Sequence, residues 1–427
     1  MMIQDVVEVH KAREGLESHK GDGQPAFVEI PGGVTAPKGF RAAGIHCGVK
    51  KAKRDLCLLV SDSPASGAAV LTTNVVQAAP ILVVKEQLKA SKTFRAIVVN
   101  SGNANACTGD RGMNDAWAMT RETARALHLA EQEVLVASTG VIGQFLPVEK
   151  ILAGISVAAS QLSVQGANNA AEAIMTTDTF VKECAVRFTL DGVPVTIGGM
   201  AKGSGMIAPN MATMLAFVTT DAAVEPALLQ LALEQATARS FNRITVDGDT
   251  STNDMATVLA NGASGAGKLT TATGEGFIKF AVALEHVLVK LAKMIVVDGE
   301  GATKFIEVNV KGAKSEQDAD KAARAVANSN LVKTAIHGED ANWGRILAAV
   351  GYSGIAFDPS KVEILFGGLP ILRPNYVIDF SEEEAKTILS QKEIAITVDL
   401  HTGDAEATFW TCDLSKEYVA INANYRT

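Results

Sequence analysis

The sequence predicts an α/β or α+β protein in which large mixed sheets are layered with helices. Short apolar runs of the β type alternate with amphipathic stretches along all 427 residues, without internal repeats, low-complexity tracts or proline-rich linkers. Hydrophobic residues make up 47% of the chain and charged residues 20%, which is typical of a folded globular protein. Aromatic residues make up only 5%, so we expect aliphatic cores.

Eight strands are predicted from the apolar β-type runs. Alternation is clearest near the C-terminus, where Ala405, Ala407 and Phe409 alternate with Glu406 and Thr408. The predicted strands are residues 56–60, 96–99, 133–136, 181–188, 306–310, 362–366, 394–398 and 406–411.

Helices are predicted where apolar residues recur at helical spacing. One more is expected after Ser381, because a serine followed by Glu382, Glu383 and Glu384 combines an N-cap with first-turn acids. The other predicted helices are residues 114–129, 148–162, 170–175, 227–238, 253–260, 275–294 and 316–327.

Charge and cysteine content argue against several classes of function. Lys and Arg number 39 against 47 Asp and Glu, a formal net charge of −8, so we expect no binding to nucleic acid or to anionic membranes. The one basic run, residues 50–54, is predicted to be a solvated turn. The five cysteines are odd in number and include no C-x-x-C pair, which favours free thiols over disulfides or a zinc site.

The protein is expected to be cytoplasmic. The most apolar long stretch, residues 277–297, is interrupted by charges such as Lys279, Glu285 and Lys290, which favours a core-facing helix over a membrane span. The N-terminal residues lack the basic and then apolar pattern of a signal peptide.

Two loops resemble ligand-binding motifs incompletely. Residues 262–268 fit the start of a phosphate-binding loop, but Leu269 replaces the hydroxyl that holds magnesium, and a predicted helix precedes the loop where a strand is required. Residues 247–254 resemble a calcium loop, but glycine is missing at the sixth place and Val258 stands where a bidentate glutamate belongs. We interpret the first as a surface loop and the second as a source of hydrogen bonds.

The central segment, residues 202–217, passes from a glycine-rich stretch through Pro209 into an apolar, strand-like run that begins at Thr213. Threonine at such a junction is usually only a β-former. It becomes a nucleophile if the Ala212–Thr213 bond is cut, because the new α-amine, with a reference pKa near 8, can accept the hydroxyl proton. The glycines before Pro209 allow the tight approach that self-cleavage requires.

This segment resembles the ornithine acetyltransferase family, whose mark is a K-G-[SG]-G-M-I-x-P-N-M-A-T-M-L run with the threonine as self-cleaved nucleophile. Ala341 departs from the family, which usually has proline there, and touches no assigned role. Further stretches similar to the family are residues 100–109, 138–143, 175–179, 241–254, 298–302, 342–346 and 421–427, so the resemblance covers nearly the whole chain.

The resemblance implies a self-cleaving fold of the N-terminal-nucleophile type, with residues 1–212 as an α chain and 213–427 as a β chain. It implies that Thr213 is the nucleophile and that Thr139 and Gly140 form the oxyanion hole, for which a hydroxyl and an open backbone N–H after a strand are suitable. The substrate contacts it implies are Thr176, Lys202, Thr213, Glu300, Asn422 and Thr427. Lys202 suits an α-carboxylate, and Glu300 suits the side-chain ammonium of ornithine.

The implied reaction is ping-pong transfer of acetyl from N2-acetylornithine to glutamate in arginine biosynthesis. Neither a metal nor a bound organic cofactor is required, and acetyl-coenzyme A stays open as a further donor. The chains are expected to pair as a heterotetramer of two α and two β chains. Two alternatives remain: an N-terminal-nucleophile amidohydrolase or aminopeptidase, and an ATP-dependent enzyme that uses residues 262–268.

Overall fold

The computed structural model describes residues 26–208 and 214–424. Three of the predicted site residues, Ala212, Thr213 and Thr427, therefore lie outside the described residues. The described chain forms two compact units. The first unit takes residues 26–203, 214–242 and 250–292, and the second takes 204–208, 243–249 and 293–424.

A mixed sheet forms the centre of the first unit. Its strand order is β1-β6-β7-β8-β9-β3-β4-β5, with β2 paired to β3. The pairs β4–β5 and β8–β9 are parallel, and the other pairs are antiparallel. The strands are β1 (Val28–Ile30), β2 (Phe40–Ile45), β3 (Leu56–Leu71), β4 (Thr93–Asn103), β5 (Val134–Val141), β6 (Lys182–Leu190), β7 (Val193–Lys202), β8 (Leu215–Thr220) and β9 (Met255–Ala260).

Helices of the first unit bury aliphatic faces against this sheet. Pro80 and Pro226 stand in the first turns of two of them, where the missing N–H removes no helical hydrogen bond. The helices are α1 (Ala79–Ala90), α2 (Gly109–Leu127), α3 (Val148–Ser160), α4 (Ala167–Ile174), α5 (Pro226–Arg239) and α6 (Glu275–Val297), of which the last five residues belong to the second unit. Ala, Val, Leu and Ile dominate the resulting core, as the low aromatic content predicts.

The second unit has a sheet of order β12-β11-β13-β10-β14, in which β10 and β13 are parallel. Its strands are β10 (Phe305–Ala313), β11 (Glu363–Phe366), β12 (Leu369–Leu372), β13 (Glu393–Asp399) and β14 (Ala405–Cys412). Its helices are α7 (Glu316–Ala327), α8 (Asn330–His337), α9 (Trp343–Gly351), α10 (Glu382–Leu389) and α11 (Lys416–Ala423). Each begins at a side chain that accepts a backbone N–H of the first turn: Ser315, Ser329, Asn342, Ser381 and Ser415.

The mixed α/β class and all eight predicted strands are confirmed, as are the helices except one. Residues 253–260 were predicted to be a helix, and this is wrong: Met255–Ala260 is strand β9, parallel to β8 and antiparallel to β3. All six residues of β9 are buried, so the strand shows a continuous apolar run without alternation. Such a run cannot be distinguished from a buried helix by periodicity.

Two further expectations concern membrane-spanning helices and disulfide bonds. No helix within residues 26–208 and 214–424 combines the length and the apolar character needed to cross a bilayer. The five cysteines, Cys47, Cys57, Cys107, Cys184 and Cys412, are all free thiols.

Candidate active site

A small cleft in the first unit brings together two of the predicted site residues, Thr139 and Lys202. It has an empty volume of about 200 Å³, and its lining consists of Thr139, Lys202, Met214, Leu215, Ser251, Asn253 and Asp254. These residues come from the end of β5, the end of β7, the start of β8 and the segment that leads into β9. Met214 is the residue that directly follows Thr213 in the sequence, so the cleft is lined by the described neighbour of the predicted nucleophile.

Thr139 and Gly140 lie at the end of β5, beside the parallel strand β4. Thr139 is opposite Ser101 and Gly140 is opposite Gly102, and the register becomes irregular at Asn103. Gly140 has φ +133°, and a Cβ there would stand 2.3 Å from the carbonyl carbon of Gly102. Only glycine fits this backbone position, because a side chain would collide with the backbone of the neighbouring strand β4.

Buried amide and hydroxyl groups fix the end of β5 to the segment before β9. Asn253 Nδ2 donates to the carbonyl oxygens of Ser138 (2.8 Å) and Ala104 (2.6 Å). The Ser138 hydroxyl donates to Asn100 Oδ1 at 2.6 Å. The carbonyl that precedes Thr139 is therefore held, and the candidate oxyanion donor has a rigid support.

Lys202 ends β7 beside a buried ion pair. Lys202 is 8% exposed and lies opposite Leu215 in the β7–β8 ladder. Asp178 Oδ1 accepts from Lys182 Nζ and from the Gly203 amide, both at 2.7 Å. Burial acts to raise the pKa of Asp178, but the charges of Lys202 and Lys182 outweigh it and hold that pKa well below its usual range. With Asp178 ionised, two ammonium groups face one carboxylate, which leaves a net positive charge for an anionic ligand.

Thr176 lies in the turn that contains Asp178. Its amide donates to Asp178 Oδ2 at 2.8 Å. The carbonyl of Met175, one residue before, accepts from Lys50 Nζ at 2.6 Å, and Lys50 also donates to the carbonyl of Arg54 at 2.8 Å. Burial lowers the pKa of Lys50 to about 8. The basic run is predicted to be a solvated turn, and for Lys50 this is wrong, because the residue is half-buried and its ammonium donates to two backbone carbonyls.

Glu300 and Asn422 are brought together in the second unit. Asn422 Nδ2 donates to Glu300 Oε2 at 2.8 Å, and Glu300 is only 7% exposed. A Cβ on Gly205 would stand 2.2 Å from the same carboxylate, so the glycine leaves room for it. The Glu300 amide donates to the Ser204 carbonyl at 2.9 Å. This bond fixes the main chain at Glu300 to the glycine-rich segment.

The calcium-like loop acts through hydrogen bonds in the second unit. Asp247 accepts from the amides of Met206 (2.6 Å) and Ile207 (2.8 Å), and Tyr418 donates its hydroxyl at 3.3 Å. Burial raises the pKa of Asp247, and these amide donors act against it. Within the described parts of the chain, no group of three or more His, Cys, Asp or Glu could hold a metal ion.

The glycine-rich loop at residues 262–268 does not have the geometry of a phosphate-binding loop. The expectation that a helix precedes it is wrong, because β9 does. No helix starts at its lysine, however, since the next helix begins at Glu275, and Lys268 Nζ pairs with Glu225 at 2.5 Å. Without a helix N-terminus behind the loop, its amides are not aimed at a phosphate.

The family model and the curated relatives both point to one family. The ArgJ family model matches residues 41–427. The arginine biosynthesis bifunctional protein ArgJ of Symbiobacterium thermophilum is 55% identical over 401 residues, which covers 93% of this chain and 99% of the relative. The protein of the same name from Geobacter sulfurreducens is 55% identical over 392 residues, which covers 91% of this chain and 99% of that relative. A solved ornithine acetyltransferase from Mycobacterium tuberculosis, complexed with ornithine, is 40% identical and covers 44% of this chain and 99% of that one, with a TM-score of 0.41.

Proposed function

The chain belongs to the ArgJ family and is an acetyltransferase of arginine biosynthesis, and from that premise we propose that it transfers acetyl through an ester on Thr213. The donor is N2-acetylornithine and the acceptor is glutamate, with acetyl-coenzyme A as a second donor to the same threonine. The observation that carries the proposal is the cleft in which Thr139, Lys202 and Met214 meet. It combines a hydroxyl donor, a cation and the described neighbour of the nucleophile.

The reaction has two half-reactions. Thr213 Oγ attacks the acetyl carbonyl while its proton moves to the free α-amine of Thr213. The Thr139 hydroxyl and the Gly140 N–H donate to the oxyanion, the C–N bond breaks, and ornithine leaves with the proton. The α-amine of glutamate then attacks the acetyl ester, so that N-acetylglutamate leaves and the threonine hydroxyl is restored.

Substrate recognition follows from charge. Lys202, beside the ionised Asp178, is assigned to the α-carboxylate, and Thr176 to the same end of the ligand. Glu300 and Asn422 are assigned to the side-chain ammonium of ornithine, and Thr427 completes the set. Each assignment is chemically consistent taken by itself, because a buried charge gains an oppositely charged partner when the amino acid binds.

Cleavage at Ala212/Thr213 divides the chain into an α chain of residues 1–212 and a β chain of residues 213–427. The order of the first sheet supports lasting association, since β8 and β9 of the β chain lie between β7 and β3 of the α chain. Pairing into a tetramer of two α and two β chains rests on the family resemblance. A cytoplasmic location suits the five free thiols.

The direct test is the mass of the purified protein under denaturing conditions, where two fragments that meet at Ala212/Thr213 are expected. Thr213→Ala should give one uncut chain without transfer activity, whereas Thr213→Ser keeps a hydroxyl and should still be cut. A Thr213→Ala variant that transfers acetyl would refute the nucleophile. If acetylornithine is consumed at the same rate with and without glutamate, the result would favour the alternative function, an N-terminal-nucleophile amidohydrolase or aminopeptidase.

A further inference from the structure

Lys50 is a cation of the first unit that the reaction described above does not use. Its stem lies over Gly102 at the end of β4, where a Cβ would stand 3.0 Å from Lys50 Cγ. Gly102 is the strand partner of Gly140, one of the two proposed oxyanion donors. At its other end the side chain donates to the carbonyl of Met175, the residue before Thr176, at 2.6 Å. The Lys50 side chain therefore runs from the ends of β4 and β5 to the turn that contains Thr176.

A buried carboxylate fixes the loop that carries Lys50. Asp55 is fully buried and accepts three backbone amides of this loop, those of Cys47 (2.6 Å), Gly48 (3.1 Å) and Lys50 (2.9 Å). The carbonyl of Asp55 accepts from the amide of Ser101 on β4 at 2.9 Å. The backbone of Lys50 is thus tied to the strand that ends beside the oxyanion donors, so its position is defined before a ligand binds.

The charge of Lys50 is held by neutral groups. Its ammonium donates to the carbonyls of Arg54 (2.8 Å) and Met175 (2.6 Å), which uses two of its three N–H donors. It forms no ion pair with a carboxylate of the described chain. Burial lowers the pKa of Lys50 to about 8, so the charged form still predominates at pH 7. A half-buried ammonium with one donor left is suited to an anionic ligand.

The two proposed substrates differ in the charge of their side chains. Both have an α-carboxylate, which is assigned to Lys202, but the side chain ends in an ammonium in acetylornithine and in a carboxylate in glutamate. Glu300, assigned to the ammonium, cannot also serve the carboxylate, because like charges repel, so the acceptor needs a cation of its own. Lys182 is fully buried and paired with Asp178, whereas the acceptors of Lys50 are uncharged.

We infer that Lys50 binds the side-chain carboxylate of the acceptor glutamate and so determines the specificity of the second half-reaction. The inference rests on the proposed function. The remaining N–H of the ammonium donates to a carboxylate oxygen, which adds a charge-assisted hydrogen bond. The acetylornithine side chain has no anionic group, so Lys50 contributes nothing to its binding. No covalent bond of Lys50 changes.

The test pairs a change in the enzyme with a matching change in the substrate. Lys50→Met keeps an unbranched stem beside Gly102 and removes the charge, and glutamine replaces the side-chain carboxylate of glutamate with a neutral amide. We expect Lys50→Met to raise the KM for glutamate about tenfold to hundredfold and to leave the KM for acetylornithine nearly unchanged. With glutamine as the acceptor, the wild type and Lys50→Met should have kcat/KM values within about threefold of each other, because the partner of the cation is already absent.

Two further variants complete the comparison. Lys51→Met is the matched control, because it removes the same charge from an exposed position of the same loop, and it should leave the KM for both substrates unchanged. Lys50→Gln removes the charge but keeps an N–H donor for the backbone carbonyls. It should raise the KM for glutamate as Lys50→Met does, and it decides the question if the Met variant does not fold.

The inference is overturned if the KM for glutamate does not rise in the folded variants. It is also overturned if the KM for acetylornithine rises equally, or if turnover of glutamine falls as much as that of glutamate, because Lys50 would then only support the loop. A rise confined to the KM for acetyl-coenzyme A would assign Lys50 to the phosphates of that donor and would overturn it as well. A wild-type enzyme that transfers no acetyl to glutamate would instead refute the proposed function itself.

Discussion

The Glu300 carboxylate can be tested without changing its shape. It is 7% exposed and accepts from Asn422 at 2.8 Å, so Glu300→Gln keeps the volume and removes only the charge. We expect the KM for acetylornithine to rise about tenfold to hundredfold, because a charge-assisted hydrogen bond to ammonium is lost. The KM for glutamate, which has no side-chain ammonium, should change little. Steady-state kinetics with each substrate varied in turn measure both, and equal losses would remove the assigned role.

Thr139 can be tested in the same way, because Thr139→Val removes the hydroxyl and keeps the β-branched shape. We expect kcat to fall about a hundredfold to a thousandfold with little change in KM, since an oxyanion donor acts mainly in the transition state. Thr257→Val is the matched control in the same sheet: its hydroxyl is buried and has no partner in the described chain, so its loss should leave kcat unchanged. A full-rate Thr139→Val enzyme would contradict the assignment.

At the scale of elements, a helix or strand could be predicted from the sequence where it carries its own capping residue or periodic apolar pattern. Helix α7 has the predicted bounds, residues 316–327, because Ser315 caps it and its apolar face repeats regularly. β9 was missed because a fully buried strand carries no periodic signal. The Asp178–Lys182 pair was also missed: the spacing suggests a helix, but Asp178 lies in a turn and Lys182 opens β6, so only the tertiary fold brings the two together.

That pair gives a prediction about acid stability. The pKa of Asp178 is lowered on folding, so its contribution is complete above the unfolded carboxyl pKa of about 3.9 and is lost as the pH falls through the lower folded value. Asp178→Asn leaves Lys182 buried without its carboxylate, and we expect a loss of about 3–5 kcal/mol at pH 7.

Urea unfolding at a series of pH values measures the effect. The free energy of unfolding of the wild type should approach that of Asp178→Asn as the pH falls below about 4, because the protonated carboxyl no longer differs in charge from the amide. Asp358→Asn, which alters an exposed carboxyl, is the control and should change stability much less. A wild type and an Asn variant of equal stability at pH 7 would show that the pair contributes nothing.

At the scale of the whole molecule, the shared sheet of the first unit decides whether cleavage can separate the chains. β8 is hydrogen-bonded to β7 over six residue pairs from Ile197↔Thr220 to Lys202↔Leu215, and β9 to β3 over six from Ser66↔Ala260 to Leu71↔Met255. Both inserted strands are buried along their whole length. Separating the proposed α and β chains would therefore expose the centre of the sheet, so separation and unfolding should be one event.

The cut enzyme should accordingly elute as one species under native conditions and release its chains only across the urea range in which circular dichroism reports unfolding. Its unfolding midpoint should rise with protein concentration, because two chains must reassociate, whereas the uncut Thr213→Ala chain should show less dependence on concentration. Size-exclusion chromatography in urea, run beside circular dichroism on both proteins, makes the comparison. Release of either chain before the dichroism signal changes would mean that the strands β8 and β9 are not held as this sheet order requires.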